Sequence, residues 1–195
     1  MMNCFEKYAH GDSLVLKYHD EEWGTPIHDE QKMIEIFILE LFQAGLSWKT
    51  VLHKREAFRS AFDGFNVYRI ARYDENKVNA LMQDKGIIRN RRKIEGAITN
   101  ARIILMLKEE YGSFMTYIWH FTDGKTIYED SSVTHDLLSD DISKDLKKRG
   151  MKFAGSVTIF SFLQAAGIVY SHTCDCYRYV QDHGEMYVKN HRLNQ

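Results

Sequence analysis

The sequence predicts an all-α fold, and three observations carry that expectation. Apolar residues recur at helical spacing through long stretches, and strict alternation over a strand length is scarce. The 195 residues also contain a single proline, Pro26, against 12 glycines, which permits long helices and leaves no Pro-rich linker. Hydrophobic residues make up 44% and charged residues 27%, a globular balance that excludes a largely disordered chain and supports a sizeable core.

The elements follow in order along the chain. Residues 33–44 (MIEIFILELFQA) are apolar almost all round and predict a central buried helix, with Asp29 as N-cap and Gly45 able to end it. Val78, Leu81 and Met82 mark a shorter helix. Ile94, Ala97, Ile98, Ala101 and Leu105 form one stripe of a longer one. Between these two helices, DKGIIRN predicts a short hairpin, with Gly86 at a turn that needs either positive φ or close backbone approach. Residues 156–168 predict a buried helix, although Val157-Thr158-Ile159 also permits a strand. Residues 177–195 are polar and aromatic without a clear period and read as a tail. There is no internal repeat and no low-complexity segment.

Net charge is −1, so a wholesale basic binder is excluded while a local basic patch is not. The charge is in fact polarised. Lys85, Arg89, Arg91, Arg92 and Lys93 stand against Asp84 alone, and Lys144, Lys147, Lys148, Arg149 and Lys152 against Asp145. Residues 129–141 hold five acids and no Lys or Arg. The amides of Gly86, Ile87 and Ile88 and the start of the following helix can face a phosphate, with Arg89, Arg91, Arg92 and Lys93 adding charge there. Such a contact reads backbone rather than base edges. An ordinary hairpin with a solvated basic face fits these residues equally well.

Glu40 sits inside Ile-Phe-Ile-Leu-Glu-Leu-Phe, and its neighbours at helical spacing, Ile36, Phe37, Gln43 and Ala44, include no cation. A buried carboxylate needs either a distant Arg or Lys, or a cavity that receives a donor or cation. Trp48, just beyond Gly45, can wall such a cavity or simply pack in the core. Cys4 and His19 near one end, with His172, Cys174 and Cys176 near the other, offer a zinc-type donor set. Spacing alone leaves Cys174 and Cys176 level. Three cysteines argue against a disulfide framework and fit a reducing compartment. With no apolar segment of membrane-spanning length and no signal-peptide core, the expected location is cytoplasmic.

YHDEEWGTP (18–26), ELFQAGLSWKTVLHKREAFRSAF (40–62), GIIRNRRKI (86–94), SKDLKKRGMKFAGS (143–156), FLQAAG (162–167) and His172 with Cys176 occur in a fixed order. Together they resemble the DNA-3-methyladenine glycosylase I family, a divergent branch of the helix-hairpin-helix DNA glycosylases, over about residues 4–176. The absence of Asp between Asp84 and Asp123 fits that branch. The resemblance implies a helix-hairpin-helix DNA glycosylase-like fold in one unit, residues 1–176, with the hairpin pair over about 76–107 and a tail over 177–195. It implies a structural zinc that joins the termini (4–19 and 172–176) through Cys4, His19, His172 and Cys176, which selects Cys176 over Cys174. It places Glu40 in the base pocket, with Tyr18, Trp23 and Trp48 as aromatic walls. Where the family carries a Trp two residues after the first Cys, this chain has Glu6, with Phe5 and Tyr8 nearby.

The implied activity is hydrolytic excision of N3-methyladenine from alkylated DNA, leaving an abasic site without strand cleavage. The lesion is flipped between aromatic rings, and an ionised Glu40 accepts from its amino edge. The expected partner is duplex DNA containing alkylated adenine, with no membrane partner and a monomer as the acting unit. Three rivals remain: a zinc-stabilised helix-hairpin-helix DNA-binding module without catalysis, a zinc hydrolase, and a glycosylase of different lesion preference.

Overall fold

A computed structural model describes residues 3–128 and 133–183 of the chain. Residues 129–132 of the acidic stretch and 184–195 of the expected tail lie outside the described residues. The helices are α1 (Glu6–Ala9), α2 (Ser13–Glu21), α3 (Glu30–Gln43), α4 (Trp48–Leu52), α5 (Arg55–Ala61), α6 (Val67–Ile70) and α7 (Glu75–Gln83). They continue as α8 (Arg91–Tyr111), α9 (Phe114–His120), α10 (Leu137–Lys148), α11 (Ser156–Ala165) and α12 (Tyr177–His183). A single 3-10 turn, Asp63–Phe65, separates α5 from α6. Strand content among the described residues is limited to β1 (Ile127–Tyr128) paired in parallel with β2 (Val169–Tyr170). The all-α expectation therefore holds.

Side-chain caps mark the starts of most helices. Asp29 Oδ1 accepts from Lys32 N at 2.7 Å, so the predicted cap of α3 is the observed one. Every residue of α3 from Met33 to Phe42 is buried, as its apolar circumference requires. Around it pack α4, α8, α9 and α11. Phe37 meets Phe114 and Phe162 edge-on at 5.1 and 5.3 Å, and Phe42 meets Phe58 at 4.7 Å. Each such ring contributes about 1.5–3 kcal/mol by leaving water.

In α8 the predicted stripe is buried as far as Ala101, but Leu105 is only partly covered. Ile103, Ile104 and Leu107 are buried instead, where α6 and α9 also pack on α8. Residues 156–165 resolve as helix, and the chain becomes extended only at Val169. At Gly167 a Cβ would lie 2.3 Å from the backbone of Thr25 and Pro26, so only glycine lets this turn meet the loop after α2. Gly24 N and Ile27 N donate to Gln164 O and Ala166 O and lace the same two segments together.

The expectation of a tail from residue 177 is corrected for Tyr177–His183, which form α12. Tertiary anchors order it where periodicity gave no signal: Tyr177 Oη donates to Asp20, Arg178 Nη1 donates to Asp20 O, and Tyr179 is buried. No helix among the described residues is long and apolar enough to cross a membrane.

Candidate active site

Two carboxylates are buried in α3, and their surroundings differ. Glu35, 7% exposed, accepts from Arg55 Nε at 2.5 Å and from Arg59 Nη2 at 2.8 Å. Arg55 also donates to Glu22 at 2.9 Å. Glu35 therefore has the distant cations that a structural buried acid requires. Glu40, 4% exposed, has no such partner among the described residues, and its Oε2 lacks any hydrogen bond. Burial alone pushes its carboxyl up to about 8.

Glu40 faces a cavity of about 560 Å³. Tyr18, Trp23 and Trp48 all line it, as the sequence suggested. Each is placed by local structure. Gly45 at φ +79° turns the chain after α3, and Ser47 Oγ caps α4 by accepting from Thr50 N at 3.2 Å. That cap sets Trp48 at the first position of α4, where its ring lies 5.2 Å from Tyr18. Trp23 follows the end of α2, between Phe5 at 4.7 Å and the His172 ring at 4.6 Å. Phe5 and Tyr8 also line the cavity, so the N-terminal segment contributes two further rings to its wall.

Polar atoms left without partners converge on the same space. Tyr18 Oη, Trp48 Nε1, Ser171 Oγ and Glu40 Oε2 are all buried and unbonded, and all four residues line the cavity. A flat ligand carrying donors and acceptors at its edge would satisfy them. Ser171, with Gln43 and Gln164, was not legible in the sequence. Ser171 reaches the cavity only because β2 runs past the end of α11.

Beside the cavity, Cys4, His19, His172 and Cys176 come together with all ligand atoms within 4.8 Å of one another. Cys4 Sγ lies 3.0 Å from His19 Nε2 and 3.5 Å from His172 Nδ1. Cys176 Sγ lies 3.4 and 3.7 Å from the same nitrogens. A tetrahedral zinc with bonds of about 2.0–2.3 Å has ligand–ligand edges of about 3.3–3.8 Å, and three of the four sulfur–nitrogen distances lie in that range. Each histidine uses its other nitrogen as such a site needs: His19 Nδ1 donates to Asp20 Oδ1 at 2.8 Å, and His172 Nε2 to Trp23 O at 3.1 Å. Hydrogen bonding from Cys4, then from His172 and His19, holds the Cys176 thiol well below its ordinary range. Cys174, level with Cys176 on spacing, is not in the cluster.

The turn between α7 and α8 is present, with its helix pair extending over Glu75–Tyr111 rather than 76–107. Three details correct the expectation there. Gly86 N donates to Asp84 Oδ1 at 2.7 Å, so that amide is not free for a phosphate. Gly86 matters by close approach instead, since a Cβ would lie 2.9 Å from Ala57 Cβ. Arg91 is drawn to Glu75 and Asn79 on α7 rather than left free. Lys93, counted as surface charge, points inward to the end of α3. Ile87, Ile88 and Arg89 keep N–H groups without acceptors among the described residues, and Arg89 and Arg92 are exposed without ion-pair partners. In the second cluster Arg149 is engaged by Glu110 and Asp145.

Known proteins resemble this chain in sequence and fold. A family model described as methyladenine glycosylase matches residues 8–179. The DNA-3-methyladenine glycosylase 1 of Escherichia coli K12 is 43% identical over 175 residues, covering 85% of this chain and 92% of that protein. A solved structure of 3-methyladenine DNA glycosylase I from Staphylococcus aureus is 36% identical with a TM-score of 0.83, covering 87% of this chain and 93% of that one. A structure of a variant 3-methyladenine DNA glycosylase I in complex with 3-methyladenine gives the same identity and TM-score over 87% and 94%. Helical architecture and matched sequence thus agree along most of the chain, which belongs to the methyladenine glycosylase family.

Proposed function

We infer that this protein is a DNA-3-methyladenine glycosylase, a hydrolase that excises methylated adenine from alkylated DNA. The observation that carries the reading is the unpartnered, buried Glu40 in a cavity walled by Tyr18, Trp23 and Trp48. The relatives are named for this activity, and one was solved with 3-methyladenine.

N3-methylation leaves positive charge on the purine, so the base is already a good leaving group and the enzyme mainly selects it. A flipped cationic ring against Trp48 or Tyr18 gains about 0.5–2 kcal/mol of cation–π energy. Glu40 adds a charge test. With its carboxyl pushed up to about 8, it is mostly protonated in the free protein at neutral pH. Ionising it costs about 1.4 kcal/mol at pH 7. A cationic purine offsets that cost, and neutral adenine does not. The glycosidic bond then breaks with its electron pair on the purine, which leaves as neutral 3-methyladenine. Water takes the oxocarbenium carbon and loses a proton, giving an abasic site. Among the described residues the cavity lining holds no lysine to form a Schiff base, which supports hydrolysis without strand cleavage.

We read α7, the turn 84–90 and α8 as a helix-hairpin-helix that grips duplex backbone through the Ile87–Arg89 amides and the side chains of Arg89 and Arg92. Zinc, held by Cys4, His19, His172 and Cys176, would supply a structural staple; four protein ligands leave no open position for catalysis. The test is the base released from methylated duplex DNA, identified by mass spectrometry, for the wild type and Glu40→Gln. Release of 3-methyladenine by the wild type with a large loss in the variant supports the reading. No free base from the wild type reduces the protein to a binding module, and equal rates remove Glu40 from selection.

A further inference from the structure

Two lysines cross between the turn and the base pocket in opposite directions. Lys54 lies at the corner between α4, which carries Trp48, and α5. Its Nζ donates to Lys85 O and Gly86 O, both at 3.1 Å. Lys93 lies in the first turn of α8, just past the turn, and its Nζ donates to Phe42 O at 2.8 Å and Ala44 O at 2.5 Å. These carbonyls end α3, the helix of Glu40, and begin the loop to Ser47 and Trp48. Neither lysine has a carboxylate within ion-pair distance among the described residues, and Lys93 is 6% exposed. A cation buried without a counter-charge is costly, and carbonyl lone pairs at a helix end are what compensates it here.

We propose that Lys54 and Lys93 form a reciprocal latch that fixes the spacing between the backbone-gripping turn and the base pocket. Both are positioning residues for base flipping; neither touches the base. The latch rests on the glycosylase reading above for its purpose, but its geometry does not. Lys54 holds the turn by two carbonyls on the side where Gly86 packs on Ala57. The amides of the less buried Ile88 and Arg89 have no acceptor among the described residues. Lys93 holds the end of α3 to the same helix start. A flipped base must reach Glu40 while its flanking phosphates stay on the turn, so slack of about 1 Å in this spacing costs about a hundredfold in rate.

The test uses Lys54→Met, which keeps the aliphatic stem, Lys54→Arg, which can still donate to both carbonyls, and Lys93→Met. Three quantities are measured for each: affinity for unmodified duplex, affinity for free 3-methyladenine by tryptophan fluorescence, and single-turnover excision. Lys54→Met is expected to weaken duplex binding about tenfold. It should leave free-base affinity within about twofold, and Lys54→Arg should restore duplex binding. Lys93→Met is expected to lower the excision rate at saturating DNA far more than duplex affinity. If Lys93→Met does not fold, the Lys54 pair decides alone. Unchanged duplex binding in Lys54→Met, or an equal loss of free-base affinity, overturns the latch. Duplex binding decides the latch whether or not the wild type releases a base, so its failure and that of the glycosylase reading are distinguishable.

Discussion

Replacing Glu40 by Gln should make the protein's stability less sensitive to pH, and the size of the effect follows from burial. The folded carboxyl sits at about 8, against 4.5 when exposed, with desolvation as the cause. Between those values the folded chain keeps a proton that the unfolded chain releases. The contribution of this group is therefore fully present below pH 4.5, declines as pH rises, and is lost once pH passes about 8. The slope is about 1.4 kcal/mol per pH unit. Urea unfolding of wild type and Glu40→Gln at several pH values from 5.5 to 8 isolates it, because every other titrating group is common to both. The stability difference should drift by about 3 kcal/mol across that range, with the Gln variant gaining on the wild type as pH rises. Parallel stability curves would refute the reasoning. They would mean that Glu40 has solvent or a cation within reach, and the charge test in the pocket would go with it.

Cys176→Ser should lose bound zinc and lower the melting temperature, whereas Cys174→Ser should do neither, as metal analysis and calorimetry can show. Glu35→Gln should destabilise the fold by about 1.5–3 kcal/mol in denaturant titrations, since Arg55 and Arg59 lose their shared buried carboxylate and keep only Glu22 and Glu56. The released base should nevertheless remain 3-methyladenine.

Much of this protein was readable from its residues alone. The apolar circumference of residues 33–44 made α3 a buried helix whatever surrounded it, and Asp29 capped it as local hydrogen bonding requires. The collinear motifs named the family and, through it, the residues that line the pocket and the four that form the Cys–His cluster. Helical periodicity and caps are short-range, so sequence carries them. What sequence left open was the partner of each charge. Glu35 and Glu40 lie on one helix among similar neighbours, yet one is paired and the other is not. Arg91, Lys93 and Arg92 are nearly adjacent, yet the first reaches α7, the second turns inward and only the third stays free in solvent. The ordering of Tyr177–His183 against Asp20 has the same character. These outcomes depend on groups tens of residues away that only packing brings within 3 Å, and at that range Coulomb and hydrogen-bond energies, not local propensity, decide where a side chain goes.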